Sequence, residues 1–213
     1  MIDFYTWTTP NGRKISVMLE ECGLEYTTHA VNLQKEEQFK PEFLAIAPNN
    51  KIPAIVDHDV SGGPVSVFES GAILVHLAEK TGKFLASGGA ERAKTLEWLF
   101  WQMGGIGPIM GQAGHFTTQA PEQVPYAIDR FISESARLIK VLDTQLGKTE
   151  FMAGDYSIAD MATYPWVILG FDLIKSAKPD VIGEGANVAR WIKTIGERPA
   201  VIKGMAVPEV ASS

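Results

Sequence analysis

The sequence predicts an α/β domain over residues 1–82 joined to an all-helical domain over residues 90–213. Two patterns carry that prediction. Strand-like and helix-like periods alternate through the first segment, and beyond a linker near 82–89 only the 3.6-residue helical period remains. The composition agrees: 213 residues, 46% hydrophobic and 21% charged, are ordinary for a globular protein with a sizeable buried core.

Taking the elements in order, Ile2 to Trp7 is short, apolar and aromatic, and reads as a strand. Pro10-Asn11-Gly12 opens a helix that carries Ile15, Met18 and Leu19 on one face and stops at Gly23. Tyr26 to Leu33 alternates in character and reads as a second strand, parallel to the first. Pro41 to Ala47 is a short helix stopped by Pro48. Ile52–Asp57 and Val65–Phe68 are strands joined by the turn Ser61-Gly62-Gly63-Pro64. Ser70 is placed as the N-cap of a helix running to Lys80, with Gly82 beyond its end. The order βαβ–α–ββα is that of a thioredoxin-like domain.

In the second segment Glu91 to Met103 is helical, with Leu96, Leu99, Phe100 and Met103 at helical spacing. Gly104-Gly105-Ile106-Gly107-Pro108 is expected to bend or break the chain, and the stretch from Gly104 to Pro125 to form an irregular loop. Pro121 to Leu146 is a long helix whose apolar stripe includes Ile128, Ile132, Ile139 and Leu142. Ser157-Ile158-Ala159-Asp160 is a capping box ahead of an apolar helix to about Phe171. Val188–Glu197 and Ala200–Met205 complete the domain.

Several function classes fall away. The formal charge is −6 and no Lys/Arg cluster occurs, which argues against nucleic-acid partners or an anionic membrane surface. Met1–Tyr5 lacks the basic and apolar regions of a signal peptide, and no apolar run is long enough to span a bilayer. One cysteine allows no intramolecular disulfide and fits a reducing compartment, so the expected location is the cytoplasm. His29, His58, His76 and His115 show no metal-ligand spacing, so no metal is expected. No phosphate loop, nucleophile elbow or dinucleotide fingerprint is present.

Two motifs remain. A strand entered through Ile52-Pro53 leaves the Ile52 N–H and C=O free to pair with an added extended peptide. Glu69-Ser70 at a helix start sets a carboxylate and orphan amides where a small zwitterion could dock. With Thr9-Pro10-Asn11-Gly12, Asn49 to His58, Phe68 to Leu74, Trp98 to Gln102 and the tail from Gly111-Gln112 to Arg130, the whole chain resembles a cytosolic-type glutathione transferase. The match is closer to the bacterial nu class and its Ure2-like relatives, which act as glutathione-dependent disulfide-bond reductases.

That resemblance implies a site. A free thiol has a pKa near 8.5, and lowering it by two units takes roughly 2.7 kcal/mol of thiolate stabilisation. The Thr9 hydroxyl and Asn11 amide, at a helix N-terminus, can each donate to a sulfur. The same Thr-Pro-Asn read alone is an ordinary helix cap. The resemblance implies that Thr9 and Asn11 hold the glutathione sulfur. It further implies that the Ile52 main chain pairs with the cysteinyl part across a cis Ile52-Pro53 bond, and that Ser70 and Glu69 hold the γ-glutamyl end. Gln38 and Lys51 match positions near the glycyl end, and Arg130 matches a basic residue reaching toward glutathione from the helical half. Read without the resemblance, Arg130 is a solvated side chain paired with Asp129 or Glu134.

Tyr5 is read as core, and Cys22, eleven residues beyond Asn11 and about 16 Å along the helix, as structural. His115-Phe116, above the expected site, has a possible substrate-facing role, and Trp98, Phe100 and Trp101 read as core and subunit contact. The leading function is reduction of small organic disulfides by glutathione, with one glutathione, two, or glutathione disulfide in the site and no covalently bound cofactor. Two alternatives are conjugation of electrophiles or reduction of peroxides by the same thiolate, and a glutathione-binding regulator. The regulator carries less weight because the chain starts directly on its first strand. The resemblance also implies a homodimer.

Overall fold

The computed structural model describes residues 1–209. Two compact units emerge among the described residues: Met1–Ser87 together with 197–209, and Gly88–Gly196. The first contains β1 (Ile2–Thr6), α1 (Pro10–Cys22), β2 (Tyr26–Ala30), α2 (Pro41–Leu44), β3 (Ala54–Asp57), β4 (Val65–Phe68) and α3 (Ser70–Thr81). Two 3₁₀ turns, Leu33–Lys35 and Glu37–Phe39, follow β2. The sheet order is β2-β1-β3-β4, with β1 and β2 parallel and the other pairs antiparallel, as a thioredoxin-like domain requires.

Period-two alternation on β1 buries Ile2, Phe4 and Thr6 on one face of the sheet. Ile15, Met18 and Leu19 of α1 and Ile73, Leu74 and Leu77 of α3 are fully buried, and each such side chain contributes about 1.5–3 kcal/mol. The other face carries a smaller cluster of Val31, Phe43, Ala47, Ile52 and Ala54, with Tyr5 and Trp7 packed beside it. Tyr5 is therefore half-buried, stacked on His29 at 4.6 Å, where the sequence had placed it in the core.

The second unit contains α4 (Gly89–Trp101), α5 (Gly107–Gly114), α6 (Pro125–Leu146), α7 (Ile158–Ala177), α8 (Pro179–Ile182) and α9 (Ala186–Gly196). A break at Gly104, one of the two outcomes expected there, does not occur. A π-helical turn, Gln102–Ile106, joins α4 to α5, and a second, His115–Gln119, extends the run, so most of the supposed loop is helical. A Cβ on Gly107 would press on Gln102 Nε2 at 3.0 Å, whereas one on Gly111 would make ordinary contact with the Trp166 indole at 3.4 Å. Helix α7 continues past Phe171 to Ala177, and α8 has no counterpart in the sequence reading.

The last helix, α10 (Pro199–Met205), was expected to belong with the helical half and instead packs on α1. Ser16 Oγ donates to the Gly204 carbonyl at 2.7 Å, Arg198 grips Glu21 at 2.6 and 2.9 Å, and Lys203 pairs with Glu20 at 2.7 Å. Residues 210–213 of the expected second domain lie outside the described residues. No described helix is long and apolar enough to cross a membrane.

Candidate functional site

Strand register decides which loops meet. Tyr5 pairs with Ala54, Ala54 with Phe68, and Thr6 with Ala30. The ends of β1, β2 and β4 and the start of β3 therefore share one edge, at the carboxyl end of the parallel pair. Thr9, Ile52-Pro53 and Glu69-Ser70 extend from that edge, with Lys51 beside Ile52. Gln38 lies on the 3₁₀ turn Glu37–Phe39 downstream of β2.

Thr9 has extended backbone (φ −126°, ψ 158°) and its Oγ accepts from the Gly12 N–H at 3.2 Å, so it is the N-cap of α1. Accepting that bond leaves the hydroxyl hydrogen to point elsewhere. Pro10 begins the helix without wasting a donor, and half-buried Asn11 follows in the first turn. Gly12 is required by space: a Cβ there would strike the Thr6 side chain and lie 2.6 Å from the Trp7 carbonyl oxygen. The turn thus holds Thr9 and Asn11 at a helix N-terminus, where the macrodipole favours negative charge.

Ile52 is 9% exposed, precedes β3 rather than opening it, and is joined to Pro53 by a cis bond. Among the described residues no backbone group pairs with its N–H or C=O. Two main-chain hydrogen-bonding groups at a buried position are thereby left open.

At the next loop, the sequence assignment shifts by one residue. Glu69, not Ser70, is the N-cap of α3, and Ser70 is the first helical residue. Glu69 sits at φ 71°, ψ 116°, a conformation that costs a non-glycine residue about 1–3 kcal/mol and that clusters where function holds it. Its side chain is exposed. Ser70 is 6% exposed and its Oγ accepts from Lys14 Nζ at 3.3 Å. Lys14 itself is only 1% exposed. Burial pulls its ammonium down to about 7, partly opposed by the field of Glu69. The sequence reading missed this lysine, although a charge four residues before Met18 on the apolar stripe of α1 was a signal.

Of the other candidates, Gln38 presents a buried Oε1 with no protein partner, whereas Lys51 is exposed. Arg130 is exposed on α6 of the second unit, where, behind the Arg137 hydrogen bond, its charge still helps to lower the pKa of Glu134, although both carboxylates expected beside it also pair with other cations. Asp129 pairs with Lys178 at 2.6 Å and Glu134 with Arg137 at 2.7 Å. Cys22, at the far end of α1 from Thr9, is half-buried with Sγ 3.5 Å from Thr81 Oγ1. Burial raises its pKa, so it is an inert thiol at neutral pH.

His29 and His58 both reach Asp3, at 2.9 and 2.7 Å, and these bonds hold its carboxyl below the usual range. His76 bonds Asp57 at 2.8 Å. His115 packs edge-on against Phe116, which stacks on Phe131 at 5.5 Å. Among the described residues no group of three or more acidic, histidine or cysteine side chains is placed to hold a metal ion.

The profile of the glutathione S-transferase N-terminal domain matches residues 8–80, the segment that carries Thr9, Ile52 and Ser70. Disulfide-bond oxidoreductase YfcG of Escherichia coli K12 is 56% identical over 170 residues, covering 78% of this chain and 79% of that protein. This chain belongs to the glutathione transferase superfamily. Its fold is the glutathione transferase fold. A family member from Pseudomonas fluorescens Pf-5, solved with two glutathiones bound, is 44% identical with a TM-score of 0.91, covering 97% of this chain and 93% of its own. A glutathione transferase from Pseudomonas putida, solved with one glutathione disulfide per subunit, is 44% identical with a TM-score of 0.90, covering 97% of this chain and 91% of its own.

Proposed function

We propose that this glutathione transferase reduces small disulfides with glutathione as the thiol donor. The observation that carries the reading is the shared sheet edge: a helix-capping threonine, an extended main chain with both groups open, and a helix start bearing Glu69-Ser70. That set matches the parts of a γ-glutamyl-cysteinyl-glycine thiol in order. The Ile52 main chain pairs with the cysteinyl residue, and Ser70 and Glu69 hold the γ-glutamyl carboxylate and amine. Thr9 and Asn11 donate to the sulfur, while Gln38 and Lys51 face the glycyl end.

The exchange uses two thiols. A bound glutathione thiolate attacks one sulfur of the substrate disulfide, forming a mixed disulfide and expelling the other sulfur as thiolate. A second glutathione thiolate attacks the glutathione sulfur of that mixed disulfide, giving glutathione disulfide and the second product thiolate, and both products take up protons. The pair consumes two glutathiones per disulfide, and the protein supplies position and electrostatic stabilisation. The relatives solved with two glutathiones or one glutathione disulfide support a site of that capacity.

The nu-class assignment, a cytoplasmic location and a two-fold dimer form part of this reading. A single cysteine fits a reducing compartment, and Phe100 and Tyr126 expose 66% and 78% of their surface, in keeping with a subunit contact. The test compares glutathione-dependent reduction of 2-hydroxyethyl disulfide, coupled to glutathione reductase, with conjugation of 1-chloro-2,4-dinitrobenzene. Disulfide reduction is expected to dominate; dominant conjugation would reassign the protein to electrophile detoxification. Glutathione binding with neither activity would make it a regulator.

A further inference from the structure

Lys14 has no part in the mechanism above, yet its position is hard to explain by stability. Removing an ammonium from water is costly, and an apolar side chain of similar length would fill the same space at no such cost. It lies on the buried face of α1 with Nζ 3.3 Å from Ser70 Oγ, and Ser70 opens α3 immediately after Glu69. A lysine ammonium can only donate, so the Ser70 hydroxyl accepts from it and directs its own hydrogen away. The positive charge stands behind a helix N-terminus, and both favour an anion at the same place.

We propose that Lys14 is a positioning residue of the γ-glutamyl subsite, orienting the Ser70 hydroxyl and supplying the buried charge that draws the substrate α-carboxylate. The inference rests on the glutathione reading and adds to it how the carboxylate end is selected. A carboxylate brought up beside Ser70 adds negative charge near Lys14, and so favours its protonated form. In the free protein burial holds that ammonium down to about 7, with Glu69 opposing, so ligand binding near neutral pH is coupled to proton uptake. The other charges on the helices packed against α1 stand apart from this exchange. On the α10 side Arg198 and Lys203 hold Glu21 and Glu20, and on α3 His76 and Lys80 hold Asp57. Glu79 lies nine residues beyond Ser70 on α3.

The probe is S-methylglutathione, which keeps both charged ends and has no thiol to titrate. Calorimetry in two buffers of different ionisation enthalpy is expected to show proton uptake by the wild-type protein at pH 7.5. Its affinity should fall as the pH rises from 6.5 to 8.5. In Lys14→Met the proton uptake vanishes and the pH profile flattens. Affinity for S-methylglutathione drops about ten- to hundredfold. KM for glutathione rises by the same factor while kcat at saturation changes little, and use of cysteinylglycine, which has no γ-glutamyl group, is unaffected. Wild-type binding without proton uptake, or Lys14→Met binding as tightly as wild type, would overturn the proposal. Failure of the wild type to bind S-methylglutathione would overturn the glutathione reading itself. The wild-type proton measurement decides the matter even if the variant does not fold.

Discussion

Thr9→Val combined with Asn11→Ala is expected to lower disulfide reduction at pH 6.5 by about two orders of magnitude while the protein stays folded. The factor follows from the thiolate population. If the two donors and the helix N-terminus depress the bound thiol by two pKa units, removing the donors returns most of that shift, and each unit is tenfold in thiolate below the pKa. The competing view is that Thr9 only caps α1, since its Oγ accepts from the Gly12 N–H at 3.2 Å. Valine removes cap and donor together, so the cap alone predicts a loss of about 1 kcal/mol in stability with turnover intact. Thr9→Ser keeps both functions and should restore activity. The check is kcat against pH for the three proteins beside their unfolding curves: a rate loss that disappears above the pKa of free glutathione identifies thiolate stabilisation.

The largest stability effect is expected at Asp160. This carboxylate has no exposed surface, and each oxygen accepts two bonds. Oδ1 takes the Met152 N–H at 3.0 Å and the Trp191 Nε1–H at 2.9 Å, and Oδ2 takes the Ser157 N–H and hydroxyl at 3.1 Å. Burial pushes its pKa up to about 6 while the four donors pull it down. In Asp160→Asn one oxygen becomes an amide nitrogen that can only donate: turned toward Met152 and Trp191 it opposes both of their N–H groups, and turned toward Ser157 it opposes that residue's N–H while the hydroxyl can rotate to accept. The better orientation leaves one buried donor unpaired, at about 1–3 kcal/mol, and weakens the other bonds by removing the charge, giving roughly 2–4 kcal/mol in total. Against a typical stability of about 5–15 kcal/mol, that is enough to unfold the second unit at moderate urea. Urea unfolding followed by Trp191 fluorescence measures it.

What the sequence made legible was local. The Ser-x-x-Asp cap of α7, the Gly23 and Gly82 stops and the position of Thr9 are each set by a few neighbouring residues, and each stands where expected; the cis Ile52-Pro53 bond, expected from the family resemblance, is also present. What escaped was set at distance. Lys14 meets Ser70 across 56 residues, and Ser16 meets Gly204 across 188, so the period of α10 showed an apolar face without showing which surface it covers. Gly104 to Pro125 misled for another reason. Glycine signals a break when judged by backbone entropy, but here two π-helical turns carry the helical hydrogen bonding through the segment. Ser70 missed its cap by one residue because Glu69 takes a backbone conformation that side-chain preferences do not foresee.

That the reacting thiol belongs to the substrate and not to the protein is the core of the proposed mechanism. Its most direct test is the steady-state rate of 2-hydroxyethyl disulfide reduction by the Cys22→Ala variant, with glutathione as the only thiol. Cys22 lies at the end of α1 remote from Thr9, with burial raising its pKa, so the variant is expected to turn over at the wild-type rate. A folded Cys22→Ala protein that binds glutathione but has lost the reaction would contradict the claim and make Cys22 the redox centre.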